Sequence, residues 1–236
     1  MVKPISRPLL LGHRGVRAPR SFGLRSSTSA VPAENTIAAF DYAVFSGCDG
    51  FEFDVRFTRD QRAVVCHDPQ LDGKEISARD YSDLSRSRNE LACLEDVLAR
   101  FGAIAYLDIE VKIAGHEEQV IAALRVNPPS RGYLVSSFLS EALIRLRQLD
   151  AALPLGYICD RARYVKLWTE LPVSVFIPQH ELVSQNMIDE VHHRGLKVFA
   201  WTVNQARDLL RLASWGVDGL ISDDPELLSH TFSESA

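Results

Sequence analysis

The sequence has no apolar run approaching the ~20 residues needed to span a bilayer. Its first eleven residues hold only a three-leucine stretch, too short for a signal-peptide core. Cysteine is scarce, four in 236 residues, with no CxxC pair and no metal-finger spacing, which argues against a disulfide framework and a zinc ribbon. Cys48, Cys66, Cys93 and Cys159 read instead as small buried hydrophobes, three of them in apolar strand-like or helix-like stretches. Positive charge is not in excess: 26 Lys and Arg against 31 Asp and Glu leave −5. There is thus no broad electrostatic reason to bind nucleic acid or an anionic membrane. Any anion site must be local. With 46% hydrophobic and 24% charged residues, disorder is equally disfavoured. These absences predict a soluble cytoplasmic protein.

What is present is alternation. Strand-like runs at 9–11, 50–56, 63–66, 104–111, 132–138, 155–159, 173–177, 197–203 and 219–222 are separated by segments of helical period at 35–46, 94–101, 116–126, 140–149, 162–171, 184–194, 206–215 and 225–232. A serine is expected to cap the helix at 140–149, and Asn35 the first helix. One strand per unit gives eight β-then-α units of roughly 30 residues, with parallel pairing and right-handed crossovers. Eight units favour a closed (β/α)8 TIM barrel, an α/β fold in one domain over 1–236, above an open doubly wound sheet. No internal repeat or linker interrupts it. Two connections stand out, a basic stretch at 15–31 carrying Arg17, Arg20 and Arg25, and a polar one at 69–91. Long connections of this kind are usually functional or disordered.

In such a barrel chemistry sits at the C-terminal ends of the strands. Strand one runs into Gly12-His13-Arg14-Gly15, and the second strand carries Glu52 and Asp54 two residues apart, on one face. The next extended piece ends in His67-Asp68, and the following strand carries Asp108, Glu110 and Lys112 at the same spacing of two. Carboxylates converging from neighbouring strands cannot all stay ionised and dry without a cation. Glu52, Asp54 and Glu110 are hard oxygen donors, suited to Mg2+ or Ca2+ rather than zinc. With Arg14 and Lys112 beside a divalent ion, the local balance becomes positive and admits one anionic group such as a phosphodiester. His13 and His67 then form an acid–base pair for phosphoryl transfer.

The combination resembles the glycerophosphodiester phosphodiesterase family. The matching residues are Gly12-His13-Arg14-Gly15, Glu34-Asn35-Thr36, Glu52-Phe53-Asp54-Val55, Val65-Cys66-His67-Asp68, Ile109-Glu110-Val111-Lys112, Ala200-Trp201-Thr202-Val203-Asn204, and Gly216 through Asp223 to Pro225. The resemblance implies a metal-dependent barrel that cleaves glycerophosphodiesters to glycerol 3-phosphate and an alcohol. It assigns metal-ligand roles to Glu52, Asp54 and Glu110, acid–base roles to His13 and His67, and phosphate-binding roles to Arg14 and Lys112. Trp201 looks like the wall of the glycerol pocket, with Glu34 and Asp108 in support. His180 stands where it can line the cleft, and His192 and His193 lie near a helix C-terminus, where a dipole role suffices.

This chain departs from the family pattern in three places. Ala33 is inserted between Pro32 and Glu34, the 15–31 connection is longer and more basic than usual, and 69–91 is short where relatives carry a capping insertion. The basic connection is therefore a candidate lid, its arginines touching substrate, or else a solvated loop. Two other functions remain open on the same residues. One is a lysophospholipase-D- or sphingomyelinase-D-like activity, which would need an apolar surface beside the cleft. The other is a barrel that binds phosphodiesters without turnover. The sequence does not set the head group, the choice of Mg2+ or Ca2+, or the oligomeric state. The implied partner is a small-molecule glycerophosphodiester, with no membrane anchor.

Overall fold

The computed structural model describes residues 7–17, 31–87 and 91–233. Strands β1 (Leu9–Gly12) and β2 (Gly50–Phe57) flank helix α1 (Ile37–Phe45). Strand β3 (Ala63–Val65), the short strands β4 (Gln70–Leu71) and β5 (Lys74–Glu75), and helices α2 (Tyr81–Ser87) and α3 (Leu94–Phe101) lead to β6 (Tyr106–Val111). There follow α4 (Glu117–Val126), β7 (Tyr133–Ser137), α5 (Ser140–Leu149), β8 (Leu155–Cys159) and β9 (Val175–Pro178). The chain continues through α6 (Gln185–His193), β10 (Lys197–Ala200), α7 (Ala206–Ser214), β11 (Gly219–Ser222) and α8 (Pro225–Ser233).

Eight of these strands, β1, β2, β6, β7, β8, β9, β10 and β11, pair in parallel in that order. The ring closes at β1, where Gly12 stands opposite both Ser222 of β11 and Phe51 of β2. The expected eight-stranded barrel is therefore present. β3 lies outside it, antiparallel to the far end of β2. Because strand side chains alternate, one parity faces the lumen. Leu11, Leu134, Ile158, Val175, Ile177, Phe199 and Ile221 fill it as one apolar cluster. The same parity, continued towards the C-terminal strand ends, brings His13, Glu52, Asp54, Asp108, Glu110, Ser136, Trp201 and Asp223 above that plug. The opposite parity packs on the helices. Phe40 of α1 stacks on Phe51 at 4.2 Å, and Phe101 of α3 meets Phe51 edge-on at 5.0 Å. Gly50 must be a glycine, since a Cβ there would lie 1.9 Å from the Tyr106 carbonyl oxygen.

Four local expectations need correction. Segment 162–171 forms two 3-10 turns, Ala162–Tyr164 and Leu167–Thr169, rather than a helix. There Trp168 is drawn into the core against Phe176, and tight i→i+3 turns suit so short a crossover. Helix α1 starts at Ile37 with Thr36 as its cap, not Asn35, which has a positive φ of 59°. In α5, Ser140 is already helical and Leu139 occupies the cap position. Ser137 Oγ accepts the Leu139 N–H instead, at 3.0 Å. Finally, 69–91 holds a β4–β5 hairpin, a 3-10 turn and α2, anchored by buried Leu71, Ile76, Leu84 and Leu91 against Val64. Cys48, Cys93 and Cys159 are buried free thiols, as expected, whereas Cys66 is only partly buried. Among the described residues no helix is long and apolar enough to cross a membrane.

Candidate active site

The turn after β1 sets the first groups. Arg14 and Gly15 both take positive φ, 52° and 78°, and a Cβ on Gly12 would sit 2.0 Å from the Gly15 carbonyl oxygen. This tight turn aims the Arg14 backbone N–H at Glu52 Oε2, 2.9 Å away, and leaves His13 buried over the lumen. A bulky residue with positive φ is uncommon outside functional sites.

On the facing strands, register does the gathering. Glu52 stands opposite Asp108, and Asp54 opposite Glu110. Ligand oxygens of Glu52, Asp54 and Glu110 lie within 4.8 Å of one another, and all three residues are buried. Glu52 Oε1 is buried with no hydrogen-bond partner, and Asp54 Oδ1, 3.2 Å from Lys112 Nζ, accepts no aligned hydrogen bond. Burial, and then the charges of Asp54, Glu110 and Asp108, hold the Glu52 carboxyl well above the usual carboxylate range. Burial pushes Glu110 up to about 7 even though Lys112 Nζ is only 2.7 Å away. Asp54 behaves in the opposite sense. Burial opposes its charge, but Lys112, Arg14 and the Asn35 amide, bound at 2.7 Å, together hold its carboxyl below the ordinary value. The donor set is hard oxygen, crowded, and short of positive charge in its centre, so it fits a divalent cation.

Two cations frame this centre. Arg14 reaches Glu34 Oε1 at 2.6 Å and Asp54 Oδ2 at 3.2 Å, while Lys112 bridges Asp54 and Glu110. Arg17 pairs with the other Glu34 oxygen at 2.8 Å, so Glu34 organises both arginines from the α1 approach. Asp108 lies deeper, bound by Ser136 Oγ at 2.6 Å, and burial pushes its carboxyl up to about 7. His13 presents Nε2 3.8 Å from Glu52 Oε2, and its Nδ1 lies 2.6 Å from Asp223 Oδ1. His67, across the centre after β3, is half-buried with Nδ1 2.7 Å from Asp68 Oδ1, and burial lowers its pKa. Trp201 stands beside His13, ring centroids 6.3 Å apart, steadied by its Nε1–H to the Ile177 carbonyl and by edge contact with Phe138. A pocket of about 300 Å³ opens next to His67, edged by Glu34, Asp68, Gln70 and Asp72.

All ten singled-out residues thus lie at the C-terminal end of the barrel or on the loops above it. His180 sits in the 3-10 turn after β9, its backbone N–H on the Trp201 carbonyl. His192, at the end of α6, bonds Asp218 at 2.8 Å. Of the candidate lid, Arg20 and Arg25 lie outside the described residues. Sequence reasoning gave no role to Asp223, Asn204 or Ser136, and gave Asn35 only that of a helix cap. The available signal was position: Ser136, Asn204 and Asp223 fall on, or shortly past, strands whose neighbours carry singled-out residues, and Asn35 follows Glu34 directly.

Hard anions gathered for a cation and framed by a guanidinium and an ammonium, at the C-terminal end of a barrel, are the equipment of a hydrolase of phosphate esters. The chain belongs, more narrowly, to the Glycerophosphoryl diester phosphodiesterase family, whose model matches residues 13–227. A glycerophosphodiester phosphodiesterase of Caldanaerobacter subterraneus subsp. tengcongensis is 28% identical over 246 residues, covering 94% of this chain and 96% of the relative. One of Bacillus subtilis is 27% identical, covering 86% and 83%. Among solved structures, the Thermotoga maritima glycerophosphodiester phosphodiesterase superposes with a TM-score of 0.77 at 24% identity, covering 94% and 97%. A phosphodiesterase of Oleispira antarctica, solved with its product sn-glycerol-3-phosphate, gives 0.76 at 24%, covering 95% and 96%. At these identities the two structures speak for the fold.

Proposed function

We propose that the chain hydrolyses glycerophosphodiesters to glycerol 3-phosphate and an alcohol, with Glu52, Asp54 and Glu110 holding one divalent cation, Mg2+ or Ca2+. The observation that carries this reading is the buried carboxylate triad with an unpartnered Glu52 oxygen, with His13 Nε2 3.8 Å from Glu52 and the His67 ring acting electrostatically on Asp54. When bound, such a cation offsets charge on the phosphoryl oxygens as the transition state forms. Arg14 offers a forked contact to the phosphate and Lys112 a point charge beside it. One histidine of the His13/His67 pair takes the proton of the attacking hydroxyl as the new P–O bond forms. The other gives a proton to the departing alkoxide as the old P–O bond breaks. If the attacker is the substrate's own glycerol hydroxyl, opening of the cyclic phosphate by water runs the same exchange in reverse. Trp201 supplies a flat wall for the glycerol carbons, Glu34 keeps Arg14 extended, and Asp108 supports the triad from below.

A small polar alcohol fits the pocket beside His67 better than an acyl chain does, because carboxylates and Gln70 edge it. That favours glycerophosphodiesters over the lysophospholipase-D-like alternative. The relative solved with sn-glycerol-3-phosphate lends support from a protein of the same fold. The test is glycerol 3-phosphate release from a panel of glycerophosphodiesters with each metal. Glu52→Ala should lose metal binding, and His13→Ala should keep metal and lose turnover. Full activity after every divalent cation is stripped would overturn the reading, and absence of any turnover would leave a binding barrel.

A further inference from the structure

The seam where β1 meets β11 carries a hydrogen-bond chain that ends on His13. Its first link is backbone: Asp223 N–H donates to Asn204 Oδ1 at 2.9 Å, and the Ser222 hydroxyl donates to the same oxygen at 3.0 Å. Ser222 Oγ in turn accepts the Asp224 N–H at 3.2 Å, which leaves its hydrogen for Asn204. With two donors on Oδ1, the Asn204 amide has one orientation, and its Nδ2–H points at Asp223 Oδ2, 2.7 Å away. The second Asp223 oxygen is then the one that faces His13 Nδ1 at 2.6 Å. Burial opposes the Asp223 charge, but the bonds from His13 and Asn204 outweigh it and keep the carboxyl below its ordinary value. An anionic carboxylate has no proton to give, so Nδ1 must carry the hydrogen.

We infer that Asn204 and Asp223 are positioning residues that commit His13 Nδ1 to a permanent N–H donor, so that every proton exchanged with the reaction passes through Nε2. This rests on the reading of His13 as an acid–base group. Neither residue touches the carboxylate triad by any contact among the described residues, so their action is indirect. Substitution makes the logic directional. In Asp223→Asn, Asn204 still demands an acceptor, so the introduced amide turns its oxygen to Asn204 and its NH2 to His13. The ring is then forced into the opposite tautomer, with hydrogen on Nε2.

The experiment uses the full-length, metal-loaded protein. Asp223→Asn should lower kcat by roughly 10³- to 10⁴-fold, the scale of a tautomer inversion at a histidine, with KM within about threefold and metal affinity unchanged. Nitrogen-15 NMR of the histidine rings should show His13 hydrogen on Nδ1 in the wild type and on Nε2 in the variant. Adding Asn204→Ala frees the introduced amide to rotate and should recover at least ~10-fold of kcat, a rescue that a merely structural role would not produce. In a His13→Ala background, Asp223→Asn should have no further effect. Wild-type kcat in Asp223→Asn with an inactive His13→Ala would overturn this inference alone. Full activity of His13→Ala would instead overturn the underlying reading. Should Asp223→Asn fail to fold, the wild-type spectrum decides, and hydrogen on Nε2 rather than Nδ1 refutes the assignment.

Discussion

Replacing Glu52 by glutamine should stabilise the metal-free protein while abolishing its response to divalent cations. Glu52 is fully enclosed, faces the charges of Asp54, Glu110 and Asp108, and is compensated by a single backbone N–H from Arg14. Glutamine keeps an acceptor for that N–H and turns two new donors towards the neighbouring carboxylates. Removing one desolvated, unbalanced anion is worth on the order of 1–3 kcal/mol. For a chain of this size each kcal/mol moves Tm by about 2–4 °C, so the chelated variant should melt roughly 2–12 °C above wild type. The sign depends on pH. A carboxyl held above its unfolded pKa withholds stability once it must ionise, so the advantage of glutamine grows as the pH rises above the ordinary carboxylate range and fades as the pH falls back into it. Cation at 100 times its Kd should stabilise wild type by about 2.7 kcal/mol, or roughly 5–11 °C, and leave the variant unmoved. Scanning calorimetry at pH 8, with chelator and with Mg2+ or Ca2+, resolves both effects. A chelated variant that melts below wild type, or one that keeps the cation shift, would refute the reasoning.

Other outcomes follow from neighbouring contacts. Because burial raises the Glu110 carboxyl to about 7 and the Glu52 carboxyl in the same direction, cation binding near pH 6 should release protons and tighten as the pH rises. Titration calorimetry in two buffers of different ionisation enthalpy measures this, and equal heats in both would contradict it. Ser136→Ala leaves Asp108 Oδ1 without its 2.6 Å donor, and should lower stability at pH 8 by about 1–3 kcal/mol in urea melts. Arg14→Lys cannot span Glu34 and Asp54 as the guanidinium does; KM should rise on the order of 10-fold, about 1.4 kcal/mol of lost binding, while the fold persists. Gly50→Ala drives a Cβ into the Tyr106 carbonyl and should cost more than ~4 kcal/mol, seen as loss of soluble protein.

The barrel and its centre were legible because their signals are short in range. Glu52 with Asp54, and Glu110 with Lys112, declare a shared face by a spacing of two, and parallel pairing sets β2 against β6 in the register that joins them. Where the outcome hinged on distant packing, the pattern misled. Trp168 looks helical by its neighbours but is held in a 3-10 turn by Phe176, and Leu71, Ile76, Leu84 and Leu91 sit too irregularly to announce the small core they share. Ser140 has the chemistry of a cap, yet Ser137 is the hydroxyl that folds back to the helix start. Asp223 and Asn204 stood in plain view within the matching motif. Their use appears only when the first and last strands lie side by side.

That seam has a consequence for how activity arises during synthesis. The bond between His13 and Asp223 joins groups 210 positions apart, one near each end of the chain. A ribosome releases the N-terminal half long before β11 exists, and contacts of such separation form late because loop closure must come first. Until β11 is made, His13 has no Asp223 carboxylate to set its tautomer. On the proposed role of His13, activity should therefore report that the ring has shut. Fragments ending before residue 219 lack β11, the strand that closes the ring against β1, and should turn over nothing.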